Sequence, residues 1–591
     1  MKILFKKLRK YGWLILLLVL CTSAQAGAQM AVTGSVTGLV DYAMGNLSSG
    51  SASEVLGGEL MRRTLMMFAL AVSVAAFTVL SGFLSSRISS GLGQDLRSDV
   101  YRKIMSFSLG EADKFSLSRL ISVSTFDVRT VQTALNTILI SMIPAPFYAI
   151  FGFSAVAGFR SGMGWVIALV IFFTVVCTLV VYGRVIVFAR SLDQKIDRMN
   201  GVIRESLTGV HVIRAFCKEE WSEERNFRVN SEYRDSSLKM NRNMQIFLPL
   251  INLITNMSSV LITWIGAYKV NENLLEVGQL IAFTSYVQLI VIGFYLLSSG
   301  AVQLPRLVTS SGRIQTVIRE EPSIKSGDLL LPESSGIERL EFSGVGFRYT
   351  DDGGYVLKDI SFTAGRGKVT AIIGDTGAGK STIIRLIPRL YDVTCGSVKI
   401  NGTDIREYDI ASVRKRIGYV PQNGFLFTGD IASNISFGDD EKNPDRICSA
   451  AETAQASEFI DNKPEKYSAP VTRGGMNLSG GQRQRLAIAR AIEQERDIYL
   501  FDDSFSALDL KTDRQVRKAL KERSENAITL IVSQRISTVR DADQILVLEN
   551  GKIVGTGSHS ELLSCCRTYR EIAKSQMTEA DFEKDCEQAG I

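Results

Sequence analysis

The sequence predicts an all-α six-helix transmembrane domain followed by an α/β P-loop nucleotide-binding domain. Three observations carry that expectation: six apolar stretches long enough to cross a bilayer, a polar joint after them, and a glycine-rich phosphate loop between a strand and a helix. At 591 residues the chain is also too long for a single core. A positive mean hydropathy with 46% hydrophobic and 22% charged residues fits an apolar part joined to a water-facing part. The net charge of +6 is small against 67 basic and 61 acidic residues, so nucleic acid is not an expected partner. Eight scattered cysteines show no C-x-x-C spacing, which argues against a zinc or dithiol site.

The membrane domain is expected over residues 1–318, with spans near 11–36, 64–86, 134–159, 162–187, 246–270 and 277–301. Each approaches or exceeds the roughly 20 helical residues that a bilayer requires. Pro144, Pro146, Pro249 and Pro305 interrupt or end three of them. Residues 32–60 contain no Lys or Arg, whereas 87–133 and 183–245 are rich in both, as cytoplasmic segments should be. Arg62 and Arg63 dissent, near the predicted outer end of the second span. The two long basic segments read as cytoplasmic extensions of membrane helices joined by a short crossing piece. Asn252 and Asn256 share one face of the fifth span at i, i+4; interhelical hydrogen bonding is the favoured reading, a polar cavity lining the other.

Residues 319–336 are a Pro/Ser/Gly-containing joint, after which strands and helices alternate over 337–575, with 576–591 read as a tail. Gly374-Asp375-Thr376-Gly377-Ala378-Gly379-Lys380-Ser381 matches G-x-x-x-x-G-K-[ST], with Thr382 next in line. A strand over 369–373 and a helix over 381–390 flank it, as the motif requires. Its glycines let backbone N–H groups close on phosphates, Lys380 meets the β/γ-phosphate charge, and Ser381 is a ligand for Mg²⁺. ATP and Mg²⁺ are therefore the expected cofactors. Asp497-Ile498-Tyr499-Leu500-Phe501-Asp502 reads as a buried strand ending in an acid, the second carboxylate of such a site and a further Mg²⁺ holder.

Between these motifs stands Leu478-Ser479-Gly480-Gly481-Gln482, and with it the sequence resembles the ABC transporter ATPases. The resemblance implies that these five residues cap the γ-phosphate of ATP held by an opposite subunit. It further implies that Tyr349 stacks on adenine, that Gln422 touches Mg²⁺ and the membrane domain, and that Ser506-Ala507-Leu508-Asp509 forms the D-loop. The front half is similar to the six-helix domain of the exporter type. Residues 205–216 resemble that family's second cytoplasmic loop, and 115–127 its first.

Two positions depart from the pattern. The general-base glutamate after the second carboxylate is replaced by Asp503, and the switch histidine after the last core strand by Gln534. A shorter carboxylate sits roughly 1 Å back, and an amide carries neither proton nor imidazolium charge. His211 and His559 are the chain's two histidines, and neither stands at that place. Residues 471–477 also differ from the usual Gly-Glu-Arg-Gly approach to the signature. Asp503, Gln534 and Gln422 are thus the candidate catalytic set.

The resemblance implies a second half-transporter as partner. Intact signature and degraded own site together point to a heterodimer that exports a small lipophilic molecule, such as a drug or lipid, across a lipid bilayer; the alternatives are a homodimer with slow aspartate-based hydrolysis and an ATP-gated, channel-like protein. A multi-pass protein of the inner (plasma) membrane, with N-terminus and ATPase cytoplasmic, is expected. Lys6, Lys7, Arg9 and Lys10 before an apolar run, and Ala24-Gln25-Ala26 after it, also look like a signal peptide. An even number of crossings between two cytoplasmic ends argues that the first span is kept.

Overall fold

A computed structural model describes residues 2–48, 56–157, 163–272, 274–332, 336–439 and 442–589. The chain forms two compact units, one of Met1–Met105 with Ser116–Glu320, the other of Ser106–Phe115 with Glu321–Ile591.

The first unit is helical, and six of its helical stretches are long and apolar enough to cross a membrane: Ile3–Met44, Gly58–Met105, Leu117–Ala157, Gly164–Val185, Glu219–Asn271 and Val277–Arg319. The predicted spans 11–36, 64–86, 246–270 and 277–301 fall within them, and 134–159 and 162–187 overlap the third and fourth; residues 158–162, which these two touch, lie outside the described residues. The helix Leu56–Met105 has 50 residues and Gly164–Thr208 has 45. At about 1.5 Å per residue the first is about 75 Å long, more than twice a hydrocarbon core of about 30 Å. Such helices must continue far into water, which is why their distal parts carry the basic residues. The short pieces Leu109–Phe115 and Val210–Ala215 follow them, as the charge pattern predicts.

The prolines sit where a helix loses least by them. Pro144 opens Pro144–Ala157, Pro305 is in the first turn of Leu304–Arg319, and Pro249 is in the first turn of Phe247–Asn271. First-turn N–H groups have no intrahelical acceptor, so a missing donor costs little there. The third span is therefore two helices, Val128–Ser141 and Pro144–Ala157, rather than one kinked rod. Close packing uses small residues: a methyl at Gly152 would meet Ile290, and one at Gly293 would lie 3.0 Å from the Ala145 carbonyl.

Polar contacts account for the dissenting arginines. Arg62 and Arg63 both pair with Glu59, and Arg63 also donates to the Gly38 carbonyl at 2.6 Å. The basic N-terminus is likewise tied down, Lys7 to Asp99 at 2.6 Å and Lys10 to Asp95 at 3.1 Å. Ala24-Gln25-Ala26 lies in the middle of the helix Gly12–Ser48, with Ala26 fully buried and Gln25 donating to the Tyr148 hydroxyl at 3.3 Å. Asn252 and Asn256 are both exposed, so packing within the chain does not enclose this pair.

The second unit holds twelve strands among the described residues. β1 (Arg339–Phe347), β2 (Leu357–Gly365), β4 (Cys395–Ile400) and β5 (Thr403–Asp404) form an antiparallel sheet in the order β2-β1-β4-β5. β3 (Val369–Gly374), β6 (Ile417–Val420), β9 (Ile498–Asp502), β10 (Ile528–Val532), β11 (Gln544–Glu549) and β12 (Lys552–Gly557) form the second sheet, ordered β12-β11-β3-β10-β9-β6. β7 (Gly429–Asp430) and β8 (Pro470–Val471) make a small ladder. In the larger sheet all pairs but β11–β12 are parallel. β9 and β10 are buried at every position, hence their unbroken apolar runs in sequence.

Ile337, Leu340, Phe342, Val345 and Phe347 enter the core between the sheets, as their strand-like spacing predicts. The polar joint is docked from Glu321 onward: Leu329 N donates to Glu407 O at 3.0 Å and Asp409 N to Leu329 O at 2.7 Å. Residues 333–335 of the joint lie outside the described ones. The helix after the phosphate loop is shorter than expected, Lys380–Leu386: Ile387 keeps helical angles, but Pro388 has no N–H to bond back along the helix, and Arg389 turns away at a φ of 50°. Residues 576–591, read as a tail, contain the helix Glu579–Gln588, whose Phe582 packs on the domain core.

Candidate functional site

The parallel sheet brings the site together. β3, β10, β9 and β6 are consecutive neighbours, and Val532 pairs with both Ile372 and Asp502. Their carboxyl ends therefore emerge at one edge, where a sheet of this kind leaves its crevice. The phosphate loop follows β3, Gln534 follows β10, Asp502 ends β9, and Gln422 lies two residues beyond β6. Four sequence-distant motifs become neighbours for that reason.

Gly374 and Gly379 have φ of 156° and 100°, and a methyl at Gly379 would stand 2.7 Å from Leu357 Cδ2. The loop's curvature thus requires glycine at 379. Lys380 is 6% exposed and its Nζ donates to the carbonyls of Gly374 and Asp375, both at 2.7 Å. Burial pushes the ammonium down, while Asp503, Asp375 and Asp502 oppose that shift. A cation folded over the loop in this way can turn its three donors to a phosphate.

Asp502 is fully buried, and its Oδ1 accepts from the Ser381 hydroxyl at 2.6 Å. Its Oδ2 is buried without a hydrogen-bond partner. Burial raises this carboxyl, against Ser381, Arg385 and Lys380. Asp503, beside it, is raised by burial and again by Asp502, with a bond from Ser506 opposing. Two adjacent carboxyl groups, one with an orphan oxygen next to a serine hydroxyl, suit a hard cation such as Mg²⁺. Among the described residues no group of three His, Cys, Asp or Glu forms a protein-only metal cage. Such a cation would need nucleotide oxygens and water to complete its shell.

Tyr349, two residues beyond β1, is 43% exposed. Phe347 and Tyr391 meet its ring nearly at right angles, at 4.8 and 5.2 Å, and its hydroxyl lies 2.9 Å from that of Thr382. The ring is held yet offers a surface for a base. Tyr391 in turn donates to Asp113 Oδ2 at 3.0 Å. Asp113 belongs to Ser106–Phe115, which forms part of this unit.

Ser479 caps the helix Gly480–Ile492. Its Oγ accepts from Gln482 N at 3.2 Å, and Gln482 Oε1 accepts from Ser479 N at 3.0 Å. A methyl at Gly481 would lie 3.2 Å from the Ala507 carbonyl, so the signature and the D-loop run close together. Leu478 is buried and anchors the turn. In the D-loop the Ser506 hydroxyl donates to Asp503 O at 2.8 Å, Leu508 is buried, and Asp509 caps the helix Leu510–Arg523 by accepting from Thr512 N at 2.9 Å. Gln422 and Gln534 are exposed, Gln422 beside Pro421, whose carbonyl accepts from the Gln484 amide at 3.5 Å. His559 is engaged elsewhere, between the Tyr569 hydroxyl at 2.7 Å and Asp585 at 3.1 Å.

Sequence reasoning missed Arg385, Tyr391 and Arg535. Arg385 acts on Asp502 and Tyr349, and Arg535 donates to Ser506 O at 2.7 Å. No motif signals them, since each works through a contact that only folding creates.

These features define an ATP-binding ABC-type ATPase joined to a multi-pass membrane domain. Comparison with known proteins agrees: the pattern of the ABC transporter transmembrane region matches residues 13–294, and that of the ABC transporter matches 357–506. An uncharacterised ABC transporter ATP-binding protein of Mycobacterium tuberculosis is 35% identical over 505 residues, 84% of this chain and 86% of that protein. A multidrug export ATP-binding/permease protein of Staphylococcus aureus, so described provisionally, is 38% identical over 411 residues, 69% of this chain and 71% of its own. A solved bacterial Atm1-family ABC exporter with ATP bound has the same fold, with a TM-score of 0.80 and 24% identity over 97% of this chain and 99% of that one. The chain belongs to the ABC transporter family: it is a half-transporter whose ATPase drives transport.

Proposed function

We propose that this chain is one half of a heterodimeric exporter of the inner membrane, contributing a weakly hydrolytic ATP site of its own and an intact signature to its partner's. The observation that carries the reading is an asymmetry. Asp503 and Gln534 depart from the family pattern in one composite site, while Leu478, Ser479, Gly480, Gly481 and Gln482 are all present for the other. In this reading Tyr349 stacks on adenine, residues 374–380 with Thr382 surround the phosphates, and Ser381, Asp502 and Gln422 hold Mg²⁺. The bound ion would supply charge neutralisation across the phosphates. Lys380 orients the same phosphates, and Asp503 is the short base meant to polarise water.

Two nucleotides between two such faces act as a clasp, and closure of the ATPases is passed to the membrane halves. The exposed Asn252 and Asn256 support an aqueous cavity or partner surface along the fifth span, because paired amides are costly against lipid. A small lipophilic molecule is the proposed cargo, in line with the description of the S. aureus relative. The ATPase faces the cytoplasm, the compartment that supplies ATP.

The test is nucleotide turnover by the full-length chain purified alone and with its partner half, reconstituted in nanodiscs. The expected result is ATP binding without brisk hydrolysis alone, and hydrolysis on pairing. Brisk hydrolysis by the chain alone, abolished by Asp503→Asn, would replace this reading with a homodimer that uses aspartate as its base.

A further inference from the structure

The two C-terminal helices grip both ends of the segment that carries Gln534. At its leading end the side-chain amide of Gln576, last residue of Arg567–Gln576, bonds twice to the main chain. Its Nε2 donates to Gln534 O at 2.7 Å, and its Oε1 accepts from Ile536 N at 2.9 Å. The two main-chain groups are of opposite kind, so a single orientation of the amide satisfies both. At the trailing end Arg540 donates to Asp585 of Glu579–Gln588 at 3.1 Å. Asp585 is buried and also faces His559. Tyr569 and Ala573 fix the first helix in the same apolar cluster as Ile536 and Val539.

Between the two pinned peptide groups stands Arg535, and its side chain reaches the other way. It donates to Ser506 O at 2.7 Å and Leu508 O at 3.3 Å, both in the D-loop. Ser506 then donates through its hydroxyl to Asp503 O. Hydrogen bonds thus run unbroken from Gln576 through the Gln534 segment to the D-loop and the main chain of Asp503. Gln576 is exposed, so its bonds compete with water and hold the loop without locking it.

We propose that Gln576 is a positioning residue for the ATPase: it sets the Gln534 loop directly and, through Arg535, the D-loop. That the D-loop borders a partner's site rests on the paired reading above; the loop-positioning claim does not.

The experiment is hydrogen–deuterium exchange on the full-length chain in nanodiscs with ATP and Mg²⁺, with Gln576→Met, which keeps the side chain's length and removes both bonds. Exchange across 533–540 and across 504–510 should rise about three- to tenfold, the scale of one or two exposed hydrogen bonds. Exchange across 374–381 and the affinity for a fluorescent ATP analogue should stay within about twofold of the parent. Gln576→Glu keeps the acceptor for Ile536 N and loses the donor to Gln534 O, so it should fall between. Arg535→Met should loosen 504–510, and adding Gln576→Met should loosen that segment no further. In the assembled transporter kcat should fall with KM unchanged. Unaltered exchange at 504–510 in Gln576→Met would overturn the proposal, as would a uniform rise that includes 374–381. A chain that proves homodimeric leaves the exchange prediction standing, so the two failures are told apart.

Discussion

Lengthening the carboxylate at position 503 directly probes the proposal that this chain's own ATP site is weakly hydrolytic. The main chain there is held: Asp503 N donates to Val532 O at 3.0 Å and φ is 48°. The Oδ1 atom is buried without a partner. A pinned backbone cannot slide to recover the reach that a missing methylene removes. A displacement of about 1 Å costs about 10²-fold, or about 2.7 kcal/mol at 1.36 kcal/mol per tenfold. A left-handed φ suits aspartate better than glutamate, so Asp503→Glu forfeits about 1 kcal/mol of that gain. The remainder of about 1.7 kcal/mol corresponds to roughly 20-fold faster hydrolysis. Single-turnover cleavage of ATP by the reconstituted pair, with vanadate trapping of a photoreactive nucleotide to show which chain hydrolysed, reads this out. Asp503→Glu with Gln534→His should go further than either change alone. The reasoning is refuted if Asp503→Glu leaves cleavage at this chain's site unchanged or lowers it while Asp503→Asn abolishes it.

Tyr349→Ala should weaken ATP binding about tenfold in an equilibrium titration, the worth of one base stacked on an aromatic ring, and Tyr349→Phe should lose threefold or less. Asp502→Asn should raise the melting temperature without nucleotide and abolish the stabilisation given by ATP with Mg²⁺. The sign follows from the raised carboxyl: between its unfolded and folded values the folded state binds more protons, so stability falls as pH rises through that window and the deficit persists at neutral pH. An uncharged amide removes that deficit, about 1.4 kcal/mol for every tenfold by which folding tightens the carboxyl's hold on its proton, so the gain should vanish in melts run below the window. Ser479→Ala should cost about 1 kcal/mol through loss of the cap on Gln482 N. It should spare ATP binding by this chain and slow hydrolysis in the assembled pair.

The two units differ in how openly their sequences declare them. The spans are legible because lipid offers no partner to a free backbone group, so a crossing helix must satisfy its own bonds over a long apolar run. Arg62 and Arg63 look misplaced in the sequence, and only the fold shows Glu59 and the Gly38 carbonyl receiving them. The phosphate loop, the signature and the strand ending at Asp502 are legible for a second reason: each does its chemistry within a few consecutive residues. The helix after the phosphate loop reads too long because its apolar content continues beyond Leu386, and Pro388 overrides it. Residues 576–591 look like a tail because their composition is polar, yet Phe582 and Asp585 are enough to dock them.

Local pattern alone determined that this chain has six helical stretches long and apolar enough to cross a membrane, and an ATP-binding module in which Asp503 and Gln534 stand beside a full Leu478–Gln482 signature. Only the tertiary structure decided that Ser381 meets Asp502 across 121 residues, that Tyr391 meets Asp113 across 278, and that Gln576 holds the loop of Gln534. The physical reason is distance along the chain. Periodicity and motif report what a few neighbouring residues must do, whereas a hydrogen bond between remote side chains depends on strand order and helix docking, which no short stretch of sequence encodes.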